Sequence, residues 1–416
     1  MNNNFPNNWQ QKTLEDCMEA IIDYRGKTPE KTSFGIPLIT AKIVKDGRIN
    51  NIEEYIATKD YDSWMRRGIP QAGDIVMTTE APLGEIAQLD NRKVALAQRL
   101  ITLRGDSKLL DNNYLRFLMQ SSFIQNQLHE RATGTTVLGI KQSELRKINL
   151  VIPPLSEQKA IAHILGTLDD KIELNRQMNE TLEAMAREIF KSWFVDFDPV
   201  RAKIEGRQPA GMDAATADLF PNDFEESSLG LIPKGWKVET LGDVCEFAYG
   251  KTLKKESRRN GNIPVYGSNG QIGWHDEAIV NSPGVIVGRK GNPGIVKYSH
   301  TSFYPIDTTF YIIPKGKVMS MQYLFHYLSF LDLASLGADS AVPGLNRNMA
   351  YMSKILIPPT NILDYFERYT FSLADYIYSN TDQSRNLENI RDTLLPKLMS
   401  GQIRVKETEK LLTAVA

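Results

Sequence analysis

The residues with the strongest claim to chemistry are two lysine-bearing turns, Gly26-Lys27-Thr28 and Gly250-Lys251-Thr252. A phosphate-cradling loop of the form G-x-x-x-x-G-K-[ST] also needs glycine at positions 21 and 245, where the chain has Ile21 and Cys245, so nucleotide binding is rejected. A turn that offers a lysine and a hydroxyl to a phosphate backbone explains the recurrence better. The histidines at 129, 163, 275, 300 and 326 are scattered, and no zinc-protease helix, nucleophile elbow or methyltransferase Asn-Pro-Pro-Tyr motif accompanies them. Asp74 and Glu80 fall on a strand and the turn after it, faintly like a nuclease centre, but a related stretch further along has Val285 and Gly291 at those places. Asp169-Asp170 belongs to a long helix, where solvated or interface charge is the default. No catalytic residue and no metal ligand is assigned.

What remains suits nucleic acid. In the first half of the chain the candidates are Arg25, Lys27 and Thr28, then Thr78 and Thr79, Gln98 and Arg99, and Thr135 in a glycine-bearing loop. In the second half they are Lys251, Lys254, Lys255 and Arg258, then Ser268 and Asn269, Arg289, Lys290 and Asn292, and Asn346 with Arg347. Arginine, lysine, asparagine and glutamine make the two-point contacts that distinguish base edges in the major groove, while threonine and serine mostly hold phosphates. Any one cluster is ordinary surface; their recurrence in glycine-bearing loops of both halves, with different residues in each, makes the case.

These clusters need two scaffolds, and the chain supplies them by saying nearly the same thing twice. Pro6 and Trp9 return as Pro233 and Trp236, and Ile36-Pro37 returns as Ile263-Pro264. At a shorter offset, Ile152-Pro153-Pro154 returns as Ile357-Pro358-Pro359, and Leu168, Asp170, Ile172 and Asn175 return as Leu373, Asp375, Ile377 and Asn380. Each copy reads as short strands closed by Gly, Pro or Asn turns, with a helix at about Tyr114 to Gln127 in one and from about Met321 in the other. Domains are expected at 1–153 and 231–359, helices at 154–195 and 360–396, a linker at 196–230 and a tail at 397–416.

The two helical stretches are strongly periodic. Ser156 is the expected cap of the first, and Ile161, Leu165, Leu168, Ile172, Asn175, Asn179, Leu182, Ala186, Ile189 and Trp193 follow at alternating steps of four and three, the spacing of a coiled-coil seam. Phe366, Thr370, Leu373, Ile377, Asn380, Ser384, Leu387, Arg391 and Leu394 answer it, and Pro396 is expected to stop the helix. A helix of this length is about 58 Å at 1.5 Å per residue, too long for one small domain, so its natural partner is its own copy, running antiparallel. Asn175 and Asn380 should then lie near the pseudo-two-fold axis and fix register at some cost in stability.

Composition sets the outer bounds. The 416 residues are 42% hydrophobic with a net charge of −1, enough for ordinary cores in two or three domains. The charge is uneven: residues 1–153 carry 20 Lys+Arg against 18 Asp+Glu, residues 231–359 carry 14 against 9, and residues 154–230 carry 8 against 15. The globular copies are mildly basic and the first helix with its linker is acidic. Cys17 and Cys245 are the only cysteines, which leaves no disulfide framework and no four-ligand zinc site. No apolar run reaches membrane-spanning length and the start lacks a leader pattern, so a cytoplasmic protein is expected.

The runs Leu155-Ser156-Glu157-Gln158-Lys159-x-Ile161-Ala162, Ser192-Trp193-Phe194-Val195-Asp196-Phe197-Asp198-Pro199, Gly206-Arg207-Gln208-Pro209-Ala210-Gly211-Met212 and Leu394-Leu395-Pro396-Lys397-Leu398-Met399-Ser400-Gly401-x-Ile403 closely resemble the specificity subunit of type I restriction-modification enzymes. The resemblance spans the chain and is weaker within the globular copies. It implies an α+β fold with two target-recognition domains in pseudo-two-fold repeat, separated by a long antiparallel two-helix coiled coil. It also implies a non-catalytic subunit that binds double-stranded DNA, each domain reading one half of a split target while the helices set the gap. Two modification subunits and two restriction subunits would carry S-adenosylmethionine, ATP and Mg; none of these is expected on this chain. Trp193, Phe194 and Phe197 are the expected anchors for the modification subunits. The competing expectation is a non-enzymatic coiled-coil scaffold that binds proteins.

Overall fold

Aliphatic runs such as Ile75-Val76-Met77 and Val285-Ile286-Val287 are too short for helices and too continuous for a sheet with one wet face; they become strands buried on both sides. A computed structural model of the chain describes residues 5–24, 28–316, 318–336, 344–405 and 408. It divides into two units, residues 1–174 with 383–416, and residues 175–382. The division falls inside the two long helices rather than at 153/154 and 230/231, because each helix gives one half to each unit's core.

In the first unit an antiparallel sheet runs in the order Met18–Asp23, Leu100–Gly105, Ile75–Thr79, Leu83–Gln88. Ile75, Met77, Ile101 and Leu103 point to a core shared with Tyr114, Leu115 and Leu118 of the helix Asn112–Gln120. Val76 and Leu100 face the other way, into a smaller core with Leu38, Ile39 and Ile56. That core is roofed by Tyr55–Ile56, Ile36–Ile39 and Ala95–Leu96, the middle strand antiparallel to the first and parallel to the third. Gln10–Thr13 pairs with Asn149–Ile152, which joins the first and last strands of the copy.

The second unit repeats this order strand for strand. Its antiparallel sheet is Cys245–Tyr249, Thr309–Pro314, Gly284–Gly288, Val296–Ser299. Its smaller sheet is Gly270–His275, Ile263–Gly267, Tyr304–Pro305, with the same mixture of antiparallel and parallel pairing. Lys237–Thr240 and Lys354–Ile357 form the closing pair. The α+β class and the internal repeat are thus features of the fold.

The long helices are Leu155–Phe194 and Thr360–Met399, and their seam residues turn inward in each unit. In the first unit Ile161, Leu165 and Leu168 are buried with Leu394 and Leu398, Leu387 packs at the margin, Ile172 is buried, and Asp169 pairs with Arg391 at 2.9 Å. In the second, Asn175 meets Asn380, Asn179 reaches Ile377, and Trp193 packs on Phe366. Leu373 is buried there, Leu182 and Ile377 half-buried. Numbers rise along one helix as they fall along the other, so the pair is antiparallel.

Several local expectations are corrected. The first helix starts at Leu155, so Ser156 lies inside it and the carbonyl of Pro154 receives Glu157 and Gln158 N–H instead. Pro396 does not end the second helix, which runs on to Met399; the proline forfeits the hydrogen bond to the carbonyl four residues back, and the burial of Leu398 and Met399 in the core holds the last turn in place. The single helix expected at Tyr114 to Gln127 is two, Asn112–Gln120 and Ser122–Glu130, since Ser121 leaves helical backbone and its hydroxyl accepts from Ile124 N–H. The stretch 196–230 is more than linker: it holds helices Asp198–Ile204 and Ala214–Asp218, and Val200 and Phe220 enter the second unit's core.

Candidate nucleic-acid interface

At one end of each large sheet the same backbone frame recurs. In the first unit Thr79 N–H donates to Arg99 O, Ile140 N–H donates to Thr79 O, and Glu80 bridges Gly139. In the second, Arg289 N–H donates to Thr308 O, Leu345 N–H donates to Arg289 O, and Lys290 bridges Gly344. Thr79 therefore corresponds to Arg289, Glu80 to Lys290 and Arg99 to Thr308. This register corrects the pairing of Glu80 with Gly291, and by the same step Asp74 with Val285. Asp74 itself is buried and held by Arg104 through two 2.8 Å bonds, the arrangement of a structural ion pair.

In the first unit, burial removes two candidates. Thr78 is fully buried, its hydroxyl accepting from Glu85 N–H at 2.9 Å, and Thr79 is 1% exposed. A threonine in the middle of a sheet buried on both faces cannot offer its hydroxyl to a duplex. Arg99 is exposed, in left-handed backbone at φ 74°, with Nε 2.9 Å from Glu80 Oε1. Gln98 is half-buried beside it, and Thr135 is exposed in the loop that returns to Gly139, as are Val137 and Leu138. Thr28 is exposed; Arg25 and Lys27 lie outside the described residues.

The second unit brings two of its candidates, Arg289 and Arg347, onto an aromatic ring that sequence reasoning missed. Tyr249, 51% exposed, ends its strand just before Gly250-Lys251-Thr252. The Arg289 guanidinium lies 5.2 Å from its ring centre and that of Arg347 4.9 Å. Arg289 also donates through Nε and Nη2 to Asp307 O, at 3.1 and 2.8 Å. Lys251, Lys290, Asn292 and Asn269 are exposed, and Ser268 sits beside Gly291. Lys254 and Lys255 are exposed on a short turn of helix. Arg258 instead holds the neighbouring strand, donating to Ile272 O at 2.7 Å. Asn346 spends its side-chain oxygen capping Arg347–Met352, accepting from Asn348 and Met349 N–H. The signal available in sequence was an aromatic residue next to a repeated basic turn.

Two of the three expected docking anchors are interior and the third is half-buried. Trp193 and Phe194 are 9% and 4% exposed and belong to the second unit's core with Phe220, Tyr323 and Phe366; Phe197 packs on Trp236 and Phe224. Trp193 and Phe194 are buried because the end of the first helix carries a full turn of aromatics onto the second copy. Apolar residues of the two helices that do face solvent include Met178, Met185, Tyr369 and Tyr376, at 42%, 43%, 44% and 64%. Each directly precedes a seam residue, Asn179, Ala186, Thr370 or Ile377, so all four lie on one flank of the antiparallel pair.

Among the described residues no group of three His, Cys, Asp or Glu could hold a metal ion, and no helix is long and apolar enough to cross a membrane.

The type I restriction modification DNA specificity domain matches residues 6–184 and 233–373 of the chain. The MjaIX type I restriction enzyme specificity subunit of Methanocaldococcus jannaschii is 26% identical, over 97% of this chain and 95% of that protein. The HindI specificity subunit of Haemophilus influenzae is 29% identical, over 76% and 82%. Among solved structures, the type I restriction-modification S subunit of M. genitalium is similar with a TM-score of 0.59 at 18% identity, over 96% and 97% of the two chains.

Proposed function

Since the chain belongs to the family of type I restriction-modification DNA specificity subunits, we propose that its two units each read one half of a two-part DNA target and that the paired helices set the unread gap. One observation carries this reading: the same backbone frame presents Glu80 and Arg99 in one unit where the other has Lys290 and Thr308, and Arg289 stands where the first unit buries Thr79. A shared frame with different side chains suits two half-sites of different sequence. Arginine takes guanine O6 and N7 in a two-point contact, and a carboxylate accepts from a cytosine amine. Lys251, Lys254 and Lys255 supply the sequence-independent phosphate contacts that make binding fall with salt.

The chemistry belongs to other subunits. Two modification subunits with S-adenosylmethionine, and two restriction subunits with ATP and Mg, carry methylation, translocation and cleavage in the cytoplasm. The modification subunits dock on the flank with Met178, Met185, Tyr369 and Tyr376, where apolar area is still open to a helical partner.

The test is methylation mapping in cells carrying the complete system. A single motif of two specified half-sites and a fixed gap is expected. Arg99→Gln should change only one half-site and Arg347→Gln only the other, each wrong base pair costing roughly 1–3 kcal/mol. Inserting one heptad into one long helix should alter the tolerated gap; unchanged spacing would refute the ruler.

A further inference from the structure

We infer that Tyr249 is a specificity-determining residue of the second unit, a positioning residue whose ring holds Arg289 and Arg347 as a paired fork for guanine in that half-site. The inference rests on the two-part reading above and goes beyond it by naming the residue that aims the contact and the base it selects.

Two guanidiniums brought to one place repel each other, and on an open surface they would drift apart. Here each lies against the same ring, at 5.2 and 4.9 Å from its centre, and the negative face of an aromatic ring attracts both. Further aromatics widen the support, with Phe310 5.9 Å from Arg289 and Tyr351 5.7 Å from Arg347. The backbone locks the base of the fork, because Leu345 N–H donates to Arg289 O and so ties the two arginine-bearing segments together.

The cations are held but not spent. Arg289 uses Nε and Nη2 on Asp307 O, and Arg347 makes no hydrogen bond or ion pair among the described residues, so most of the five donors on each guanidinium stay available. Other arginines of the two units differ. Arg99 is paired with Glu80, Arg259 with Asp276 and Glu277, and Arg258 is committed to Ile272 O. A fixed, planar cation with open donors at an exposed edge is what a guanine Hoogsteen edge requires.

The experiment compares the wild type with Tyr249→Phe and Tyr249→Leu in the complete system, by methylation mapping and by binding of the full chain to duplexes altered base by base. Tyr249→Phe keeps the ring and should keep the motif. Tyr249→Leu should lose roughly tenfold in discrimination at a guanine of one half-site, with the other half-site and the melting temperature unchanged. Unchanged selectivity, or an equal loss at both half-sites, overturns the proposal. If Tyr249→Leu fails to fold, Arg347→Lys, which keeps the charge but loses the stacked fork, decides by the same readouts. A wild type without a two-part motif would instead sink the underlying reading.

Discussion

Asn175 donates from its side-chain amide to the backbone carbonyl of Asn380 at 3.3 Å, and Asn380 in turn donates to Asn179 Oδ1 at 3.0 Å. Equivalent residues of the two copies thus meet across the helix pair, within a seam that has Ile172, Leu182, Leu373 and Ile377 at neighbouring positions. The carbonyl of Asn380 also belongs to its own helix, so Asn175→Leu strands no acceptor there. Asn380→Leu does remove the donor to Asn179. The first variant should therefore match or exceed the wild type in thermal stability, while the second should lose about 1 kcal/mol. Both should broaden the gap in the methylated motif, because a polar seam pair fixes register. Chemical denaturation of the full chain measures the energies; a destabilised Asn175→Leu would contradict the assignment.

Asp169 ties the first helix to two partners within the first unit, Arg116 of Asn112–Gln120 and Arg391 of the second helix. Its side chain is 18% exposed, so the pairs are only modestly screened. Asp169→Asn should cost about 2 kcal/mol, below the range for fully buried pairs, by leaving two guanidiniums facing each other. Adding Arg391→Leu to Asp169→Asn should recover part of the loss. A double-mutant cycle without coupling would sink this account.

The helix seam was legible because a period of alternating four and three steps has one inward face whatever the helix packs on. The repeat was legible because offsets held through the motifs, and the strand orders of the two units agree with it. Depth was not legible. Thr78 and Thr79 read as polar residues at a strand end, yet both are buried in the folded unit. Trp193 and Phe194 would show the same pattern whether they faced a partner or their own chain. Tyr249 had no visible role because Arg289 and Arg347 reach it from distant segments.

His326 should make the second unit acid-sensitive. It is buried against Phe190 and Phe366, with a contribution from Arg187, and burial pushes its pKa down to about 4. Between the unfolded value near 6.5 and about 4, the unfolded chain takes up a proton that the folded chain refuses. The neutral side chain's stability is therefore present above pH 6.5, declines as pH falls toward 4, and changes no further below it, for a total of about 3 kcal/mol. His326→Phe should lack this part of the acid slope. Melting temperatures of both proteins across pH 4–7 measure the difference; parallel curves would refute it.

The open flank and the buried aromatics predict opposite phenotypes. Met178, Met185, Tyr369 and Tyr376 are exposed apolar residues on one side of the helix pair, so Met178→Ser with Tyr376→Ser removes no core contact and should leave the melting temperature within a degree or two of wild type. It should nevertheless lower copurification with the modification subunit and reduce methylation at both half-sites together. Trp193→Ala empties a site among Phe220, Tyr365 and Phe366 and should cost about 3–5 kcal/mol, losing assembly only because the second unit unfolds. Assembly measured by size-exclusion chromatography at a temperature below the melting transition of Trp193→Ala separates the two. If that variant, while folded, fails to assemble and the flank variant assembles normally, docking lies at the aromatic turn after all.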